Sequence, residues 1–100
     1  MIFGSLLKEF RLKSGFVHLS QLSQNLEMYG FFYDCTVLSR WQTGERLPTN
    51  RKLLIILVKI FVERNAIKNI QEANSVLESA NQGYLTDKEK TFCFVEKSIE

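Results

Sequence analysis

The segment that constrains the fold most is a short helix bounded by two strong end signals. Asp34 is a favoured N-cap residue, and Gly44 is the residue type that most often ends a helix, so a helix over Cys35 to Thr43 is predicted between them. Leu38 and Trp41 lie three residues apart on one face of this helix, and we expect that face to be buried. The other positions are small, hydrogen-bonding or basic, and we expect them to face solvent: Thr36, Val37, Ser39 and Arg40.

Most of the remaining chain also repeats apolar residues at helical spacing, and no segment alternates as a strand does. Leu22 lies on the apolar face of its segment, whereas Arg11 falls on the polar face and is expected to point outward. Residues 53–62 are apolar on nearly every face, so a strand is the competing interpretation there, but length and a capped entry favour a helix. The predicted helices are Phe3 to Ser14, Leu19 to Met28, Cys35 to Thr43, Pro48 to about Arg64, Asn69 to Gly83, and Asp87 to about Ile99. Thr49 and Asn50 are available to cap the fourth helix, and the fifth and sixth begin with capping-box signals, Asn69 with Glu72 and Thr86 with Glu89.

The composition is that of one globular domain of 100 residues, with 45% hydrophobic and 24% charged residues. We therefore predict an all-α domain of five or six helices, in which a core over residues 1–64 carries a C-terminal helical extension, 65–100, packed on it. No apolar run is long enough to span a bilayer. Cys35 and Cys93 are far apart and match no metal spacing, so we expect two reduced thiols in a cytoplasmic protein.

The sequence predicts no enzyme, cofactor or metal site. There is one histidine, and the two cysteines and the acids form no cluster that would build a metal centre or a hydrolytic triad. There is also no glycine-rich phosphate loop.

Positive charge is concentrated in the first two thirds of the chain. Residues 1–64 hold nine Lys or Arg against five Asp or Glu, a net of +4, and residues 65–100 hold four against six, a net of −2. Four basic residues and one acid lie between Arg40 and Lys52, next to the helix over Cys35 to Thr43. This distribution favours contact with a polyanion beside that helix.

A helix with an apolar back and a small polar front suits the major groove of DNA, where side chains near its N-terminus contact base edges. Arg40 is a candidate to bond guanine, with a phosphate contact or a solvated surface arginine as the alternatives. Thr36 is a candidate for a base edge or a thymine methyl, or else bonds its own backbone. Val37 would meet a thymine methyl or a protein partner. Candidates for the DNA backbone are Ser39, Thr43, Arg46, Asn50 and Arg51.

The string Leu38-Ser39-Arg40-Trp41-Gln42-Thr43-Gly44-Glu45-Arg46-Leu47-Pro48 resembles the hydrophobic-Ser-Arg-Trp-Glu-x-Gly-x-x-x-Pro signature of lambda repressor-like (Xre-type) helix-turn-helix domains. The opening Phe3-Gly4-x-x-Leu7-x-x-x-Arg11 and Gly15 also look like the family's first helix. The segment from Ile70 to Thr86 is similar to a helical extension in a subset of the family, whose members often carry the domain at the head of a longer signalling protein.

This chain departs from the family pattern at three places. Gln42 replaces a glutamate whose role in the family looks structural. The interval from Leu26 to Leu38 is longer than in the compact motif, so the turn between the two helices must accommodate extra residues. The family's glutamine that caps helix two and holds a phosphate aligns with His18, Ser20 or Gln21, and the resemblance thus implies Ser20 and Gln21 as backbone contacts.

These patterns predict a sequence-specific regulator of transcription that binds double-stranded DNA as a homodimer and acts as a repressor. The alternative is a module of the same fold that has lost DNA binding and binds a protein partner. A third interpretation is the regulatory head of a larger signalling protein. A neutral or acidic surface over Thr36 to Arg40 would favour the protein-interaction module.

Overall fold

The computed structural model describes the backbone of residues 2–98 and the side chains up to Phe94. Within these residues the chain forms six α-helices and no strand, which confirms the all-α prediction. Ile99, where the sixth helix was predicted to end, lies outside the described residues. The helices are α1 (Phe3–Lys13), α2 (Leu19–Met28), α3 (Cys35–Thr43), α4 (Arg51–Glu63), α5 (Ile70–Ser79) and α6 (Asp87–Ser98).

Polar side chains cap the starts of the later helices. The carboxylate of Asp34 accepts a hydrogen bond from the N–H of Val37 at 3.1 Å and so opens α3. The side chain of Asn50 accepts from two N–H groups at the start of α4. Thr86 and Glu89 form a reciprocal capping box at α6, each side chain accepting from the other's N–H. The predicted cap residues therefore set these helix starts, although α4 begins at Arg51 and not at Pro48.

Four helices end in the same backbone motif, with a left-handed residue just after the cap. Gly15 and Gly30 take this position after α1 and α2, and Asn65 and Asn81 take it after α4 and α5. After α5, the N–H of Gln82 reaches back to the carbonyl of Leu77, and α5 stops at Ser79. The prediction that Gly83 ends α5 is therefore wrong, because Asn81 tolerates the left-handed conformation and ends the helix earlier.

The core forms around α4, which buries residues on most of its faces. Leu53, Leu54, Leu57 and Val58 have no exposed surface, as expected for a helix that is apolar on nearly every side. Leu22 and Leu38 are also fully buried, and Trp41 is 5% exposed. The strand alternative for this segment is wrong, since α4 is a continuous helix from Arg51 to Glu63.

The C-terminal helices share this core. The helix α5 packs against α1 and α4, and α6 packs against α4. Leu77 and Cys93 from these helices belong to the same buried cluster as Leu53 of α4.

Both cysteines are free, and burial raises the pKa of the Cys93 thiol to about 11, so this thiol stays protonated at neutral pH. Among residues 2–98, no helix has both the length and the apolar character that a membrane crossing needs.

Candidate nucleic-acid interface

Helix α3 presents a mixed front to solvent. Thr36 and Arg40 are exposed, and Ser39 is half-buried. Val37 was predicted to face solvent, but it is half-buried because it packs at the edge of the core. The exposed front is thus narrower than the sequence suggested, and Thr36 and Arg40, four residues apart, form its most accessible part.

The turn between α2 and α3 is long, yet it is tied to both helices. The hydroxyl of Ser23 donates to the carbonyl of Tyr33 at 2.7 Å, which fixes the turn to α2. The ring of Tyr33 lies 5.0 Å from that of Trp41, centroid to centroid, which fixes it to the back of α3. Gly30 begins the turn in the left-handed conformation. The extra residues are therefore absorbed by specific contacts.

The C-terminal end of α3 lies in close contact with α1. A Cβ atom on Gly4 would lie 2.2 Å from the carbonyl oxygen of Gln42, a distance that no side chain tolerates. The absence of a side chain at Gly4 therefore allows the two helix backbones to touch. This contact fixes the position of α3 relative to the rest of the core.

Arg11 forms a second link between α1 and α3. Its Nε donates to Oε1 of Gln42 at 3.1 Å, and one terminal nitrogen donates to the carbonyls of Phe16 and Val17 at 2.7 and 2.8 Å. The prediction that Arg11 points outward is wrong, since the residue is only 6% exposed. These carbonyls belong to the turn after α1, and they satisfy the guanidinium inside the protein. Gln42 thus has a structural role.

Between the last turn of α3 and the first turn of α4, three cationic side chains are exposed: Arg40, Arg46 and Lys52. The only ion pair among them within the described residues joins Arg40 Nε to Glu45 Oε2 at 3.9 Å, a long and exposed contact. Such a pair contributes little to the stability of the fold, and it leaves the Arg40 side chain free to change partner. The N–H of Arg46 donates to the carbonyl of Arg40 and fixes the loop that follows α3.

Arg51 has a different position from the other cations. A guanidinium has five N–H donors, and those of Arg51 make five hydrogen bonds within the chain. Two go to the carboxylate of Glu89 at 2.7 and 3.0 Å, and the others go to the side chain of Gln82 and the carbonyls of Gly83 and Tyr84. Arg51 therefore joins α4 to the start of α6, and we assign it to this contact in place of a phosphate.

The pair formed by Arg51 and Glu89 should make stability depend on pH in acid. The hydrogen bonds from Arg51 lower the pKa of Glu89 from 4.5 to about 2, against an opposing effect of burial. Because the folded-state pKa is lowered, the contribution of Glu89 is complete above pH 4.5 and is lost as the pH falls toward 2.

We expect Glu89→Gln to reduce the free energy of unfolding at neutral pH, and we expect its difference from the wild type to shrink across that acid range. Urea unfolding of both proteins at a series of pH values checks this. The glutamine keeps an oxygen that accepts from the N–H of Thr86, so the variant retains this capping hydrogen bond. A difference that does not change with pH would contradict the assignment.

A cavity of about 410 Å³ lies between α3 and the loop that precedes α4. Its lining includes Val37, Trp41 and Leu53, and Arg40 and Arg46 lie at its edge. Apolar and charged groups therefore meet directly beside the exposed front of α3.

The other predicted contact residues have these positions. Ser20 is exposed at the start of α2, and the side chain of Gln21 accepts from the N–H of His18 at 2.9 Å. The hydroxyl of Thr43 donates to the carbonyl of Arg40 at 3.3 Å, and the side-chain oxygen of Asn50 is used in capping α4. Ser20 therefore lies with the N-terminal end of α3, where both border a hollow of about 440 Å³, and Thr43 and Asn50 lie toward its C-terminal end.

Two residues that set this geometry were not identified as functional from the sequence. Tyr33 supports α3 from behind, and the aromatic run in the turn was a signal that it packs there. Gly4 permits the contact of α1 with α3, and a glycine inside an otherwise good helix was the signal.

Within the described residues, no three His, Cys, Asp or Glu side chains gather in a way that could hold a metal ion. No family model matches the chain, and neither the curated proteins nor the solved structures include a significant match. The resemblance to lambda repressor-like domains therefore stays a prediction from the motif.

Proposed function

We propose that the protein regulates transcription by binding double-stranded DNA in a sequence-specific manner, with α3 as the recognition helix. One observation carries this proposal: α3 is held from behind by Gly4, Arg11 and Tyr33, while Thr36 and Arg40 on its front remain exposed. A recognition helix needs both properties, because its side chains must be held in a fixed position and must also be free to reach the base edges.

Readout would depend on the side chains along the front of α3. The guanidinium of Arg40 bonds the O6 and N7 atoms of guanine, a contact that contributes about 1–3 kcal/mol of discrimination against other bases. Thr36 contacts a base edge or a thymine methyl, and the half-buried Val37 offers its methyl groups to a thymine methyl at close approach.

Phosphate contacts would surround this front. Arg46 is the exposed cation in the loop that follows α3, and because Arg51 is engaged by Glu89, Arg46 is the charged member of this set. Neutral polar residues complete the set and fix the register of the protein on the duplex. They are Ser20, Gln21, Ser39, Thr43 and Asn50.

One short helix contacts few base pairs, so we propose that two copies bind a site with two-fold symmetry. Occupation of such a site within a promoter would block transcription, which makes repression the expected outcome.

Selection from a randomised DNA duplex pool, followed by sequencing, tests this function. We expect enrichment of a palindromic sequence, because two identical recognition helices read two identical half-sites. If no sequence is enriched and binding stays negligible at low salt, the DNA proposal is wrong.

Removal of one phosphate contact should change the salt dependence of binding. We expect Arg46→Ala to weaken binding to all duplexes alike and to reduce the slope of log K against log salt by about 0.9. Titrations of the selected duplex at several salt concentrations measure this slope. Lys88→Ala removes the same charge from the exposed start of α6 and serves as the control. Equal slopes for the two variants would remove Arg46 from the interface.

A module that binds a protein partner is the second candidate, and two observations favour it. The front of α3 has acidic residues at both ends, Asp34 at its cap and Glu45 beside Arg40, which reduces the positive potential there. The adjacent turn also exposes Phe32. This candidate replaces the first if the duplex selection fails.

A further inference from the structure

An apolar groove runs along α4, between the turn that follows α2 and the first half of α6. Its volume is about 500 Å³, and its walls are Phe31 from the turn, Ile55 and Ile56 from α4, and Phe92 from α6. Ile56 is only half-buried, and Phe92 is 43% exposed. The exposed apolar surface of these residues is thus concentrated in one concave region.

The residue that follows one wall of this groove in the chain carries a protruding aromatic side chain. Phe32 follows Phe31 in the chain, but it is 76% exposed and borders a separate hollow of about 440 Å³. Glu27 and Asp34 line that hollow with it. Phe32 is therefore an apolar knob with carboxylates at its base.

The groove has the opposite charge at its edge. Lys52 lines the groove and is exposed, and no ion pair engages it within the described residues. The other two charged residues of the lining, Arg51 and Glu89, neutralise each other at 2.7 Å. The unneutralised charge at the edge is therefore positive.

We propose that two copies of this chain associate through this surface, with Phe32 of each copy in the groove of the other. A two-fold interface requires one patch that is complementary to itself. A two-fold axis that places Phe32 of one copy in the groove of the other also places the second Phe32 in the first groove, so knob and groove meet this requirement. The charges agree as well, since Glu27 and Asp34 share a hollow with Phe32, and the exposed Lys52 lies at the edge of the groove that receives Phe32.

This inference adds an interface to the proposed binding of DNA by two copies. It rests on the proposed function only for the expectation that the two copies are related by a two-fold axis. The association is measured without DNA. Its failure therefore leaves the duplex selection as an independent test of DNA binding, and failure of the selection leaves the dimer intact.

Sedimentation velocity over a range of protein concentrations tests the proposal. We expect the wild-type chain to change from monomer to dimer with rising concentration, and we expect Phe32→Ser to stay monomeric. Phe32 is so exposed that its loss should leave the thermal midpoint nearly unchanged, which separates loss of association from loss of folding. Leu12→Ser, at a 49% exposed apolar position on α1, is the matched control and should still dimerise.

Charge-reversal variants provide a second test of this interface. Glu27→Lys and Lys52→Glu should each weaken the dimer, because each places like charges opposite one another across the interface. The double variant restores the attraction with the signs reversed and should recover most of the association. A wild type that remains monomeric throughout would overturn the proposal. A dimer insensitive to Phe32→Ser, or a double variant no better than the singles, would overturn this interface.

Discussion

Replacement of Gly4 by alanine is expected to destabilise the protein by about 3 kcal/mol, near the upper end of the usual cost of overpacking a core. Elsewhere in a helix the same change stabilises by about 1 kcal/mol, since glycine is a poor helix former. Here the new Cβ would lie 2.2 Å from the carbonyl oxygen of Gln42 and 2.8 Å from that of Trp41. Both are backbone atoms, so the clash is relieved only by moving α1 away from α3.

Thermal unfolding measures this effect, and for a domain of this size the loss corresponds to a fall in midpoint of roughly 12–24 °C. Gly83→Ala is the matched control, because no atom lies within 4 Å of its added Cβ and its φ is not positive. We expect the control to be neutral or slightly stabilising. A Gly4→Ala protein as stable as the control would contradict the close contact of α1 and α3.

The second large effect is expected at Arg11. Arg11→Ala leaves the carbonyls of Phe16 and Val17 and the side chain of Gln42 without their donor. An unsatisfied buried polar group costs about 1–3 kcal/mol, so we expect the variant to lose about 3 kcal/mol or more, together with the packing of the side chain's stem. Urea unfolding gives this free energy directly.

Lys8→Ala controls for the loss of one positive charge from α1, since Lys8 is exposed on the same helix. It should change stability by less than about 0.5 kcal/mol. Gln42→Glu is the complementary variant: it keeps the acceptor, adds a charge beside Arg11, and should raise stability at neutral pH. If Arg11→Ala unfolds like the Lys8 control, Arg11 does not link the two helices.

The helix pattern was predictable because local signals specify it. Capping residues and apolar spacing correctly placed α2 and α3, and they gave the starts of α5 and α6. Helix ends were harder to predict. Two of them use Asn65 and Asn81 in the left-handed conformation, and asparagine also occurs at helix starts, so its type alone does not distinguish the two roles.

The candidate site was less predictable, because it depends on contacts between residues far apart in the chain. Arg11 and Arg51 look like surface cations in the sequence, yet each is engaged by partners that only the folded chain brings near. The acceptors of Arg51 lie more than 30 residues away, and Gln42 lies 31 residues from Arg11. Arg40, in contrast, was predictable, because its exposure follows from the periodicity of one short helix.

Binding of the selected duplex by the wild type and by Arg40→Ala, followed by fluorescence anisotropy, tests the central claim most directly. Loss of a bidentate base contact of about 1–3 kcal/mol predicts that Arg40→Ala binds the selected duplex about 5- to 150-fold more weakly. Its affinity for unrelated duplexes should fall far less. Lys68→Ala removes the same charge from an exposed site in the extension and should bind nearly as the wild type does. Equal, small losses for both variants, or no preference for any duplex, would contradict the claim that α3 reads DNA.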